Sequence, residues 1–269
     1  MSSDSAKKTI GVALGVCLVC SVFVSSATVA LSEKQEENKK LDKIENILEA
    51  ADLKPEGNSE EIKEVYHKKI KTELINLETG EVVPEDQYTK ELMPENFDLK
   101  KIISNPDLVT PIPPEKDIAR IKKKPKYMLV YKVMDKDGNV SKYILPIYGK
   151  GLWSTLYGFI ALDKDLKTIS GITFYEHGET PGLGGEVDNP RWKQLWKGKQ
   201  AFNDNWQPII KVIKGKVDPS SPEANHTIDG LSGATLTTRG VNNLVRFWLS
   251  EEGYGHFLRT LRGMKNEQV

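Results

Sequence analysis

From Thr9 to Leu31 the chain runs 23 residues without a charge, rich in Val, Leu, Ala and Ile. As a helix rising 1.5 Å per residue this stretch would be about 34 Å long, enough for a hydrocarbon core of about 30 Å. Lys7 and Lys8 precede it, while Glu33, Lys34, Glu36 and Glu37 follow. The short basic end is expected to stay in the cytoplasm, making residues 1–8 a short tail and placing everything from residue 33 outside. A cleaved signal peptide is the rival reading. The basic start suits it, and Ser25–Ala27 and Thr28–Ala30 resemble small-residue cleavage sites. The apolar stretch is longer than a usual h-region, which favours a retained anchor over residues 9–31. Either way the remainder is exported.

Both cysteines, Cys17 and Cys20, fall inside this stretch. Their spacing is that of a redox pair, but such a pair works at a helix start in a polar, thiolate-stabilising setting, and here the surroundings are lipid. Leu18-Val19 also lacks the small residue that a lipoprotein site needs beside its cysteine. With no ionisable group between residues 9 and 31, the segment offers no intramembrane ion site. The 38 basic and 38 acidic residues of the 269 cancel, so no global field attracts nucleic acid.

Leu41, Ile44, Leu48 and Ala51 lie at helical spacing and predict an amphipathic helix over 33–53; Ile62, Val65, Tyr66 and Ile70 predict another over 59–75. Glu78 to Glu81 reads as a turn. Residues 84–126 contain Pro94, Pro106 and Pro111-Ile112-Pro113-Pro114 and are expected to be irregular, with the basic run Arg120–Lys126 a solvated connection. From Tyr127 the period becomes two. Strands are expected at Tyr127–Met134 and Tyr143–Tyr148, joined through Asp137-Gly138-Asn139, and again at 156–162, 168–176 and 208–214. A calcium loop at Asp135 is rejected, because its glycine comes too early and Pro146 occupies the twelfth position. Short helices are expected at 189–197 and 238–249. The order predicts an α+β protein with a mainly antiparallel sheet: a helical and irregular extension over 32–126 and a domain over 127–262.

Three stretches carry chemistry. Asp229-Gly230-Leu231-Ser232-Gly233-Ala234-Thr235-Leu236-Thr237-Thr238 leads directly into an amphipathic helix with Val241, Leu244, Val245 and Trp248. Amides at such a helix start bind phosphate, and glycines let a ligand approach closely; ordinary capping by Ser, Thr and Asp is the competing reading. Gly178-Glu179-Thr180-Pro181-Gly182-Leu183-Gly184-Gly185-Glu186 makes a rigid, close-approach loop. Tyr148-Gly149-Lys150-Gly151-Leu152-Trp153-Ser154-Thr155-Leu156-Tyr157-Gly158 mimics a dinucleotide fingerprint but leads into a strand, so no NADH site is expected. There is no Walker loop, no metal-spaced His/Cys cluster and no nucleophile elbow. Of the scattered histidines, His177 borders the glycine loop and is expected to cap or to lie at the surface.

In this order the three stretches resemble the FMN-binding domain family, and within it the branch of C subunits of sodium-translocating NADH:quinone reductases. The resemblance covers the membrane segment, Gly149–Tyr157, Glu179–Glu186 and the chain to about residue 258; residues 33–125 match mainly in length and placement. It implies FMN esterified through its phosphate to the hydroxyl of Thr235 by a separate flavin transferase, with Asp229, Ser232, Gly233 and Ala234 part of the recognised sequence. It also implies a flavin site lined by Trp153, Glu179, Thr180, Gly182, Leu183 and Gly184. No catalytic or metal-binding residue is implied. The expected role is an electron carrier at the periplasmic face of a bacterial inner membrane. There it works with other subunits of a multi-subunit complex that moves electrons from NADH toward ubiquinone and pumps sodium. The equivalent subunit of the ferredoxin:NAD electron-transport complex shares the Ser-Gly-Ala-Thr site and is the alternative; the long 33–125 segment and Gly151-Leu152-Trp153-Ser154 favour the sodium pump. A different class, a membrane-anchored binding module without cofactor, follows if the glycine loop and helix start are only structural. A stand-alone exported flavin reductase would need a second, substrate-binding domain.

Overall fold

Helix α1 runs unbroken from Ala6 to Ala50, so the membrane stretch and the amphipathic stretch expected at 33–53 are one helix. The computed structural model describes residues 6–53 and 57–266; the first five residues of the expected cytoplasmic tail lie outside the described residues. Side chains from Ile10 to Leu31 are exposed, and an 18-residue window of α1 averages 2.3 in hydropathy, long and apolar enough to cross a membrane. Two units divide the chain, Met1–Lys43 and Ile44–Val269.

The second unit begins with the last turns of α1, where Ile47, Leu48, Ala50 and Ala51 are buried. The helix stops because Asp52 takes a left-handed φ of 61°. The Asp52 N–H then donates to the Glu49 carbonyl (2.9 Å) and that of Leu53 to the Leu48 carbonyl (2.8 Å), a Schellman stop in which Asp fills the usual glycine position. Other terminal carbonyls are met by side chains: Lys142 Nζ donates to Ala51 (2.8 Å) and Thr173 Oγ1 to Asn46 (3.1 Å). Glu49 and Asp52 pair with Lys193 and Lys197.

The expected helix over 59–75 is shorter than its periodicity suggests. Helix α2 spans Ser59–Lys69, capped by Asn58, and strand β1 takes over at Ile70–Asn76. Antiparallel pairing with β4 (Tyr127–Met134), from Ile70↔Val133 to Asn76↔Tyr127, overrides the local pattern and buries Leu74 and Ile75. Residues 84–126 are mostly irregular as expected, with a single-turn helix α3 (Leu99–Ser104) and two short paired strands, β2 (Val109–Pro111) and β3 (Lys123–Pro125).

Strands β5 (Val140–Lys150), β6 (Thr155–Asp163) and β7 (Ile169–Glu176) complete a five-stranded sheet in the order β1-β4-β5-β6-β7, every neighbour antiparallel. The β4–β5 hairpin closes on Asp135, whose Oδ1 accepts from the N–H groups of Asp137 (2.9 Å) and Asn139 (2.8 Å), so this carboxylate serves a turn. Helix α4 is confined to Pro190–Gln194. The strand expected at 208–214 shrinks to β8 (Lys211–Val212), which pairs in parallel with β9 (Thr227–Ile228). Helix α5 starts at Thr235, three residues earlier than expected, and ends at Leu249; α6 (Gly255–Asn266) was not anticipated.

Helix α5 lies on β5. Trp248 is fully buried, its Nε1 donates to the Tyr148 carbonyl at 2.7 Å, and Tyr254 OH donates to the Pro146 carbonyl at 2.6 Å. At the other end of the helix, a Cβ on Gly240 would meet the Lys150 carbonyl at 2.5 Å. That close approach carries the start of α5 to the sheet end where β5 turns into β6 and where β7 runs out.

Candidate functional site

The β5–β6 connection is a tight turn: Gly151 N–H donates to the Ser154 carbonyl (2.8 Å), and Lys150 Nζ to the Trp153 carbonyl (3.1 Å). Trp153 stands at its tip, 67% exposed. The loop after β7 is tied to this turn by Gly178 N–H donating to Ser154 Oγ (2.6 Å). Glu179 forms the knot. Its buried carboxylate accepts from the backbone N–H groups of Leu152 (3.2 Å), Trp153 (2.9 Å) and Ser154 (3.2 Å), and from the hydroxyl of Thr237 in α5 (2.5 Å). One side chain thus ties all three sequence stretches together.

Two glycines make room for it. A Cβ at Gly184 would stand 2.5 Å from Thr237 Oγ1 and 2.9 Å from Glu179 Oε2, and one at Gly151 would stand 2.6 Å from Glu179 Oε1. Burial alone would raise the Glu179 pKa, but the hydrogen bonds from Thr237 and the three amides outweigh it and hold the carboxyl below its ordinary 4.5. A lowered folded value means that Glu179 contributes its full stability above pH 4.5 and loses it as pH falls from there through the folded value. Glu179→Gln is therefore expected to be less stable near pH 7 and to show a flatter acid limb in a melting-temperature series. An unchanged acid limb would show that this carboxylate does not titrate with folding.

The remaining expected residues take varied positions. Asp229 does not face the helix start: its Oδ1 accepts from Val217 N–H (2.8 Å) and its carbonyl accepts from Trp192 Nε1 (2.8 Å), so it anchors the approach to α5. Ser232, Gly233 and Thr235 are exposed and Ala234 is buried. Thr180 supplies its carbonyl to Leu183 (3.1 Å) and Gly185 (2.9 Å), and Gly182, at φ 74°, turns the loop. Leu183 is exposed beside Gly233, whose Cβ, if it had one, would meet Leu183 Cδ2 at 2.9 Å. Glu179 itself is turned inward and fully engaged with protein. His177 pins the loop, with Nε2 and Asp188 Oδ2 2.6 Å apart and Nδ1 accepting from Glu179 N–H (3.2 Å).

Ordinary capping does not explain the helix start. The cap residue of α5 is Ala234, which makes no side-chain cap bond, and the nearby hydroxyls are used elsewhere: Thr237 on Glu179, and Thr238, which accepts from Leu231 N–H at 3.0 Å. Thr237 and Thr238 close the hydroxyl-rich stretch, and the sequence assigns them no individual role; in the fold both are buried. Two hydroxyls at helix positions that must face the core were the available signal, since buried hydroxyls need partners.

A model of the FMN-binding domain family matches residues 151–250, the interval that holds the turn, the loop and the start of α5. The C subunit of the Na(+)-translocating NADH-quinone reductase of Pseudomonas aeruginosa is 46% identical over 262 residues, covering 97% of this chain and 98% of that protein. The chain belongs to the family of these C subunits. The Yersinia pestis C subunit is 44% identical, with 97% and 95% of the two chains covered. The crystal structure of NqrC from Shewanella oneidensis superimposes with a TM-score of 0.75 at 39% identity, over 84% of this chain and 99% of that one. That of the Parabacteroides distasonis C subunit gives 0.62 at 31% identity, over 85% and 96%. The expected α+β architecture with a mainly antiparallel sheet is the architecture of this family.

The residues present fit an FMN. The amides of the first α5 turn have no capping side chain and meet the positive end of the helix dipole, a suitable place for a phosphate. Gly233, at φ 72°, keeps the approach to Thr235 free of a side chain. Trp153, Leu183 and Leu236 offer exposed apolar surface at the same sheet end. Two hollows elsewhere, of about 230 and 460 Å³, contain none of these residues. With Thr235, Trp153, Leu183 and Leu236 all exposed, the candidate site lies at the surface.

Proposed function

We propose that this chain is the covalent-flavin electron carrier of its complex, with FMN esterified through its phosphate to Thr235 Oγ1. The observation that carries this reading is the uncapped start of α5 at an exposed threonine. Bound FMN supplies reversible acceptance and donation of electrons. The chain's own residues do the holding. First-turn amides receive the phosphodiester charge, worth about 0.3–1 kcal/mol at a helix start. Trp153 and Leu183, held in place through Glu179 and the 177–185 loop, give the ring an apolar surface, and Gly182, Gly184 and Thr180 shape that loop. Ser232 to Ala234, with Asp229 fixing the approach, present the hydroxyl to a separate flavin transferase.

On this reading residues 9–31 anchor the chain in the inner membrane, and the unit beginning at Ile44 works on the periplasmic side, relaying electrons toward quinone beside other subunits. Lys7 and Lys8 before the apolar stretch support that orientation. The exposure of these residues also supports the covalent bond, since a flavin lost outside the cytoplasm could not be replaced from a cytoplasmic pool. The test is ultraviolet fluorescence of the denatured band from a host that possesses the transferase, followed by sequencing of the flavin-bearing peptide. Fluorescence that survives denaturation, on a peptide containing Thr235, is expected; a dark band would sink the proposal.

A further inference from the structure

His177 makes two contacts that together admit a single form of its imidazole. The loop after β7 ends in the short turn Gly184–Asp188, and the imidazole bridges that end to the loop's beginning. Nε2 lies 2.6 Å from Asp188 Oδ2, and Nδ1 lies 3.2 Å from the Glu179 backbone nitrogen. A backbone N–H can only donate, so Nδ1 must offer its lone pair. An ionised carboxylate can only accept, so the proton sits on Nε2. The contacts therefore belong to the neutral Nε2–H tautomer.

The surroundings favour a different form. The hydrogen bond to Asp188 pulls toward the imidazolium, burial opposes it, and the charges of Asp188 and Glu179 add to the pull, so the imidazole titrates above its ordinary 6.5. Glu176, the preceding residue, is taken up by Lys100 of α3. Protonation turns the Asp188 contact into an ion pair and gives Nδ1 a hydrogen that meets the Glu179 N–H head-on. Both contacts cannot survive that step, and the one that yields is the Glu179 N–H bond.

We infer that His177 is a proton-operated positioning residue of the flavin site: neutral, it holds the Glu179 backbone, and protonated, it keeps Asp188 and releases that backbone. The inference rests on the reading of the 177–185 loop as a wall of that site. The Glu179 carboxylate orders the Leu152–Ser154 turn that carries Trp153, and the loop itself carries Leu183, so a change at the Glu179 backbone reaches both. The four bonds to that carboxylate remain, so the loop shifts and does not unfold.

Amide hydrogen exchange of the full-length chain in its assembled complex, followed from about pH 5 to 8 and corrected for intrinsic rates, tests this. As pH falls through the His177 transition, exchange at Glu179 is expected to rise about fivefold, the ratio that one hydrogen bond of ordinary strength sustains. In His177→Asn the side-chain oxygen stands in for Nδ1, in the turn that Asn commonly makes with the N–H two residues on, and it does not titrate. Exchange there should stay slow throughout. In Asp188→Asn the step should persist at a pH about one unit lower. The visible circular dichroism of the bound flavin should follow the same step in the wild type and stay flat in His177→Asn. Melting curves check the folding of both variants, and should His177→Asn fail to fold, the Asp188→Asn midpoint decides. A wild type without the step, an equal step in His177→Asn, an unmoved midpoint in Asp188→Asn, or a flavin signal blind to the step would overturn the inference. Fluorescence of the denatured band keeps this apart from the flavin reading: a dark band with the exchange step intact removes the flavin, and a fluorescent band without the step removes the role of His177.

Discussion

Thr235→Ala is expected to abolish the flavin fluorescence of the denatured band completely while leaving the melting temperature nearly unchanged. The two halves of this result come from different physics. An ester bond needs an acceptor oxygen, and alanine has none, so the loss is total and not graded. Stability should hold because Thr235 is exposed and its hydroxyl makes no hydrogen bond among the described residues, and because alanine is a better helix former at the first position of α5. Surface substitutions of this kind lie within about 0.5 kcal/mol of neutral. A variant that still fluoresces would move the attachment elsewhere. One that unfolds would show that Thr235 serves the fold.

The largest expected loss of stability follows Trp248→Ala. The indole is fully buried, packs against the rings of Tyr148 (5.0 Å), Tyr254 (5.4 Å) and Phe247 (5.5 Å), and donates to the Tyr148 carbonyl. Removing it leaves a cavity and strips that carbonyl of its partner, a cost of about 3–5 kcal/mol. For a domain of this size the melting temperature should drop by about 10 °C. Trp248→Phe keeps much of the packing and loses the N–H, so its drop should be clearly smaller. If thermal melting by circular dichroism shows a loss under about 1 kcal/mol for the alanine variant, α5 is held to the sheet by something other than this residue. Fluorescent flavin per folded chain should be unaffected in the phenylalanine variant, because the helix start lies at the opposite end.

Much of this architecture is legible in the residues. The uncharged run of Thr9–Leu31 and the period-two stretches from Tyr127 onward translate directly into α1 and into β4 to β7, because each pattern is local and repeated. β1 is not legible. Ile62, Val65, Tyr66 and Ile70 continue one helical face up to the residue where the strand begins, and only the distant partner strand Tyr127–Met134 decides the matter. Helix α6 was missed because Gly255 opens it without a polar cap signal. At the candidate site, glycine spacing marked loops that the fold brings together, and it could not say which way Glu179 points. A carboxylate in a glycine loop reads as a ligand contact. In the fold it faces inward, because three amides of the Leu152–Ser154 turn and the Thr237 hydroxyl converge on it. The reading of Ser and Thr as caps failed for the complementary reason: tertiary partners claimed the hydroxyls of Thr237 and Thr238, and the cap position fell to alanine.

The order of the elements along the chain also sets a timetable. All five strands of the main sheet, and both loops knotted at Glu179, lie between residues 70 and 185, ahead of Thr235. A chain that emerges from its N-terminus can complete the sheet before α5 is delivered to lie across β5. A molecule stalled before residue 235 would possess the five strands and lack α5, whose Trp248 completes the core and whose Thr237 completes the knot at Glu179, so the helix start and the loops that face it are assembled in one step.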